Sequence, residues 1–139
     1  MLNAIASGLA GAAAVTLMNE SIRRFDEEAP RLDLLGMRAL AEVVSPDNLR
    51  TKALVGDIAS NTLYYSIVAA APPEQAPICG ATLGLGAGIA AVALPGPLGL
   101  GEDATNRSTK TRVLSIVYYT TAGLLAGIVF RSLAGRTRL

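Results

Sequence analysis

The sequence predicts an all-α fold: a four-helix transmembrane bundle with an amphipathic interfacial helix between its first two spans. Two observations carry this. Residues 1–19 have no charged side chain, and three more apolar stretches follow along the 139-residue chain. The charged residues gather between those stretches, as in the loops of a membrane protein. A hydrocarbon layer of about 30 Å takes roughly 20 apolar residues of helix. Lipid admits only helices or closed barrels, because backbone hydrogen bonds must be met internally. The apolar runs are too continuous for the alternating strands of a barrel.

The whole chain, 1–139, reads as one integral membrane domain. The first span covers about 2–24 and ends in a polar turn with Asn19, Glu20, Arg23 and Arg24. It lacks a Lys or Arg before its apolar part, so a retained helix is expected rather than a signal peptide. The second covers about 46–71, with Ser45 as N-cap, Pro46 in the first turn and Pro72-Pro73 beyond its end. The third covers about 78–97 and closes on Pro95-Gly96-Pro97. The fourth covers about 112–130, flanked by Arg112 and Arg131, whose long side chains can reach the headgroups. Residues 31–44 have helical periodicity, with Arg31, Arg38 and Glu42 on one arc and Leu32, Leu35, Leu40 and Val43 elsewhere. Such a helix either lies in the membrane interface or packs over the end of the bundle.

Two pairs of segments admit a duplicated helical hairpin. GAAAVTL at 11–17 matches GIAAVAL at 88–94, and LYY at 63–65 then stands level with VYY at 117–119. The repeat axis would run along the membrane normal. Alanine-rich helices also align by chance, so both readings stand.

Orientation follows from Lys and Arg in the loops. One side collects Arg23, Arg24, Arg31, Arg38, Arg50 and Lys52 together with Arg107, Lys110 and Arg112. The other has Arg131, Arg136 and Arg138. Connections 25–51 and 98–111 are therefore expected in the cytoplasm and both termini outside, although the basic tail opposes this.

Composition removes several function classes. The net charge of +1 supplies no basic field for nucleic acid. With no His and a single Cys, there is no disulfide framework, no Ser-His-Asp or Cys-His arrangement, and little for a metal. No enzyme activity and no cofactor are expected. LGLGAG at 83–88 lies inside a span and lacks the strand-turn-helix context of a nucleotide fingerprint.

Two sets of residues stand out. Gly8, Gly80, Gly84, Gly88, Gly123 and Gly127 form small-residue stripes that let helix backbones approach closely. They serve either the inside of the bundle or contact with another subunit. The second set is polar: Asn19, Glu20, Arg24, Asp57, Asn61, Tyr64 and Tyr65. Ionisable groups at membrane depth are costly and default to a functional hypothesis. The alternative is structural, with Glu20 paired to Arg24 at i,i+4 and Asp57 bonded to Asn61.

The strings NESIRRFDEEAPRLDLLGMRAL, NTLYY, PGPLGLG and TKTRVLSIVYYTTAG resemble a family of short bacterial inner-membrane proteins with no assigned activity. The resemblance implies a bacterial cytoplasmic membrane and carries over no functional residue. The expected role is a structural or accessory subunit, in the bilayer as a homo-oligomer or as part of a larger complex. The alternative is an oligomeric channel or transporter for a small ion or proton, using the intramembrane carboxylates.

Overall fold

The computed structural model describes residues 1–136; the tail position Arg138 lies outside them. The described chain is all-helical: α1 (Leu2–Ile22), α2 (Leu32–Ala41), α3 (Leu49–Tyr65), a 3-10 turn (Ser66–Ala70), α4 (Ala76–Ala93) and α5 (Thr109–Arg136). Three of these, α1, α4 and α5, are long and apolar enough to cross a membrane. The helix of the expected second span is not: α3 has 17 residues and carries Arg50, Lys52 and Asp57.

Several boundaries differ from expectation for local reasons. α3 begins at Leu49 rather than Pro46, because Asn48 takes a left-handed conformation (φ 55°) ahead of the helix. Ser45 is not its cap; the Ser45 hydroxyl accepts from Lys52 Nζ at 2.9 Å. α4 starts earlier, with Pro77 in its first turn, and ends at Ala93, ahead of Pro95. α5 starts earlier because Ser108 caps it, its hydroxyl accepting the Thr111 amide at 3.2 Å. At 28 residues, α5 is about 42 Å long, well beyond the hydrocarbon thickness.

α5 is the central helix, packing on both α4 and α1; α3 packs on α1, and α2 packs on α3. The contact between α3 and α4 is slight. The connections 23–31 and 94–108 meet at one end of the molecule. There the Arg31 amide donates to Ala104 O at 2.8 Å, Arg38 pairs with Asp103 at 2.8 Å, and Lys110 pairs with Asp26.

Burial is inverted relative to a protein folded in water. The core is built from Ala12, Val15, Ala122 and Ala126, with Tyr65, Val68 and Tyr118 as its large members. Leu9, Leu17, Leu63, Leu85, Ile89, Leu125 and Ile128 point outward and are exposed. An apolar surface of this extent has no place against water and fits a small membrane-embedded protein.

The glycines explain how small the core can be. A β-carbon on Gly80 would collide with the Gly123 carbonyl oxygen, and one on Gly123 with that of Gly80. One on Gly84 would strike Tyr119 O, one on Gly127 would strike Ala76 O, and one on Gly88 would lie 2.7 Å from Ile116 Cα. Gly8 makes the same close approach to Thr62 O across α1 and α3. All six glycines thus face a neighbouring helix of their own chain. Replacing Gly80 by Ala should force α4 and α5 apart and cost about 1–3 kcal/mol, the usual range for overpacking. Gly86→Ala, whose β-carbon would meet nothing nearer than Tyr64 Oη at 3.8 Å, should be neutral or slightly stabilising. Thermal unfolding in mild detergent, followed by circular dichroism, separates the two.

Candidate functional site

The last turns of α1, the first turns of α2 and the first half of α3 enclose a recess of about 290 Å³. α1 contributes Thr16, Asn19 and Glu20; α2 contributes Leu32, Asp33 and Gly36; α3 contributes Arg50, Thr51, Ala53, Leu54 and Asp57. The α3 residues share a face because 50, 53, 54 and 57 follow the i, i+3, i+4, i+7 pattern of one helical stripe.

Asn19, Glu20 and Asp57 therefore meet in one place, as the sequence suggested. Each has a distinct environment. Asn19 is buried, and its Oδ1 accepts the Leu32 amide at 3.4 Å. That amide opens α2, whose own N-cap supplies no side-chain bond, so Asn19 caps α2 from α1. Glu20 pairs with Arg23 at 2.7 Å and with Arg50 at 3.6 Å. The expected Glu20–Arg24 pair does not form. α1 ends at Ile22, so the i,i+4 register is not continued, and Arg24 is exposed with no ion pair among the described residues.

Asp57 accepts from Asn61 Nδ2 at 3.0 Å. It joins no ion pair among the described residues. Asn61 does not reach into the recess. It lines a second feature, an open groove of about 430 Å³ between α3 and α4, with Ser60, Tyr64, Ala87, Ala90 and Ala91. Tyr64, seven residues from Asp57, stays on the Asp57–Asn61 side of α3 and borders the groove with Asn61, while Tyr65 turns away from that side. Consecutive helical residues diverge by about 100°, and both hydroxyls go to other helices: Tyr64 to Leu83 O at 2.8 Å, Tyr65 to Tyr119 O at 2.9 Å. Their rings meet edge to face with centroids 5.4 Å apart. They are struts that hold α3 to α4 and α5.

Sequence reasoning missed Asp33 and Arg50. Arg50 was legible, being two turns before Asp57 on one stripe. Asp33 was not, because its approach depends on how α2 folds back. Asp33 pairs with Arg31 at 3.0 Å and Arg23 at 3.7 Å. Burial pushes its carboxyl up, but the Arg31 hydrogen bond, the charges of Arg31 and Arg23 and the Leu34 amide outweigh that and hold it below its ordinary value. Beside the recess, the Lys110 hydrogen bond holds Asp26 low and the Arg38 hydrogen bond holds Asp103 low.

Among the described residues no three His, Cys, Asp or Glu side chains converge to hold a metal ion. Nor does any nucleophile stand beside a base in the recess. Its chemistry is that of a pocket with apolar walls, three carboxylates and one arginine. Comparison of the chain with protein-family models, curated proteins and solved structures gives no match.

The depressed carboxyls link this end of the molecule to pH. A carboxyl with a lowered folded pKa contributes stability that is present above its unfolded value, about 3.9, and is lost as pH falls through the folded value. Acidification to about pH 3 should thus loosen the Asp26, Asp33 and Asp103 ties while leaving the α4–α5 contact intact. Hydrogen exchange reads this directly. Protection of the Arg31 amide, which is bonded to Ala104 O, should hold down to about pH 4 and fall below it, and that of Ala122 in α5 should not fall.

Proposed function

We propose that the protein is a structural or accessory subunit of a bacterial cytoplasmic membrane, built as a four-helix transmembrane bundle. The observation that carries this reading is the closed axis. Where a conduit would run, Val15, Tyr65, Val68 and Tyr118 are fully buried, and the glycine contacts bring backbones together around them. A chain without a path through its centre serves by occupying and contacting.

The fourth crossing is assigned to α3 together with the 3-10 turn. The two span roughly 35 Å at their standard rises, and they lead away from the end where α2 packs and the connections meet. α4 then returns to that end. With the positive-inside rule, that end is cytoplasmic and the termini lie outside. α2, held by Asn19 and by Arg38–Asp103, closes the bundle at the cytoplasmic surface.

Association is assigned to the α3–α4 groove rather than to the glycine stripes, which are used within the chain. The groove offers Ser60, Asn61, Ala87, Ala90 and Ala91 along one side of the bundle. Small residues admit a neighbouring helix and Asn61 can bond across it, so the proposed occupant is a transmembrane helix of a second copy. The second reading, ion or proton movement through an oligomer, is favoured by Asp57, which pairs with no cation among the described residues. It needs a path that only neighbouring copies would supply.

Three measurements test the proposal. Reconstituted vesicles should move no protons or alkali cations above the empty-vesicle rate; flux abolished by Asp57→Asn would establish the transport reading instead. On a Cys79→Ala background, cysteines placed in 26–50 should label from the cytoplasm and one beyond Arg131 from outside. Native mass spectrometry should find an oligomer that Ala87→Leu with Ala91→Leu converts to a folded monomer. An unchanged oligomer would remove the groove from the interface.

A further inference from the structure

The recess between α1, α2 and α3 joins an apolar wall to a carboxylate that no cation among the described residues pairs with. We propose that it binds a primary ammonium group on an aliphatic body, the chemistry shared by an aminophospholipid headgroup and a free alkylamine.

The charges of the recess divide unevenly. Glu20 is met by Arg23 and Arg50, and Asp33 by Arg31 and Arg23. Among the described residues, Asp57 is met only by the Asn61 amide, on Oδ1. A carboxylate has about four acceptor sites, so the bond from Asn61 leaves most of the capacity of this recess-lining group unused. The recess is lined by Glu20, Asp33 and Asp57 against Arg50 alone, so its charge disfavours an anion. A positive group that can donate hydrogen bonds fits Asp57, and a charge-assisted bond of that type is the strong sort. A quaternary ammonium has the charge but nothing to donate.

The walls exclude a bare metal ion and favour methylenes. Hard cations gather six or more oxygens, yet among the described residues no three carboxylates converge to hold one, while Leu32, Gly36, Ala53 and Leu54 make much of this surface apolar. Leu54 is 43% exposed and continues the apolar wall to the outside, where an alkyl chain would run on into lipid. Gly36 is informative. A β-carbon there would meet Ala53 Cβ at 3.5 Å, an ordinary contact, so packing does not require glycine. What a larger side chain at 36 would take up is the recess itself.

The full chain in mild detergent is offered equal amounts of phosphatidylethanolamine and phosphatidylcholine of the same acyl length, and retained lipid is read by native mass spectrometry. Phosphatidylethanolamine should be retained about tenfold over its trimethylated counterpart, as one charge-assisted bond implies. Asp57→Asn and Gly36→Leu should each abolish that preference, the first by removing the charge and the second by filling the space. A short water-soluble alkylamine identifies the source. Displacement of the lipid assigns the site to the ammonium wherever it is carried, and amine binding without lipid preference assigns it to a soluble amine. Equal retention of both lipids together with no alkylamine binding overturns the proposal. So does a preference that survives in both variants. If Asp57→Asn loses its helical circular dichroism, Gly36→Leu decides alone, since it leaves every charge in place.

Discussion

The contact on which the structure depends is the one between the backbones of α4 and α5. Water supplies no force to bring apolar helices together inside a membrane; association rests on packing and on bonds between helices. Packing energy grows from many weak atom pairs and is greatest where no side chain keeps the helices apart. Gly80 against Gly123, Gly84 against Tyr119 and Gly88 against Ile116 give that approach along three successive turns of α4. Once α4 lies so close, α5 is left with its opposite side free for α1, and the small core of alanines, Val15 and the tyrosines is closed by the same spacing.

Against that firm side of the molecule stands a looser one. α3 touches α4 only slightly, and tyrosine hydroxyls rather than glycines bridge it to α4 and α5. The looseness leaves both the lateral groove and the recess under α2. Polar residues of α3 border both: Arg50, Thr51 and Asp57 the recess, Ser60 and Asn61 the groove. The helix least suited to crossing lipid is thus the one that borders both open spaces, as expected where burial and exposure to a ligand or partner compete.

How much of this was legible in the sequence follows from the range of each interaction. The helices were legible because hydropathy and the prolines act locally. The Asp57–Asn61 bond was legible because i,i+4 spacing fixes it. The glycines announced a close approach, but not with what; that α4 and α5 take each other's stripes needs the tertiary fold. Glu20 with Arg23 in place of Arg24 turns on where α1 stops, a matter of one residue. Asn19 capping α2 was beyond reach, because the donor is an amide thirteen residues away and no spacing rule connects them. Tyr64 on the Asp57–Asn61 side was legible from its i,i+7 spacing, but the bridging of its hydroxyl to α4 and of the Tyr65 hydroxyl to α5 was not, because those acceptors lie on other helices.

The central position of α5 bears on biogenesis. In the order of synthesis it follows every other helix described here, yet α1, α4 and the 3-10 turn all pack on it. Until it leaves the ribosome, Tyr65 has no Tyr119 carbonyl for its hydroxyl, and the glycine row of α4 has no opposing backbone. α1, α2 and α3 already have contacts with one another through Gly8, Thr62 and Asn19, but α4 must wait beside them with its glycine row facing lipid or an insertion factor. Assembly is then a late event, triggered when the final segment enters among helices already waiting.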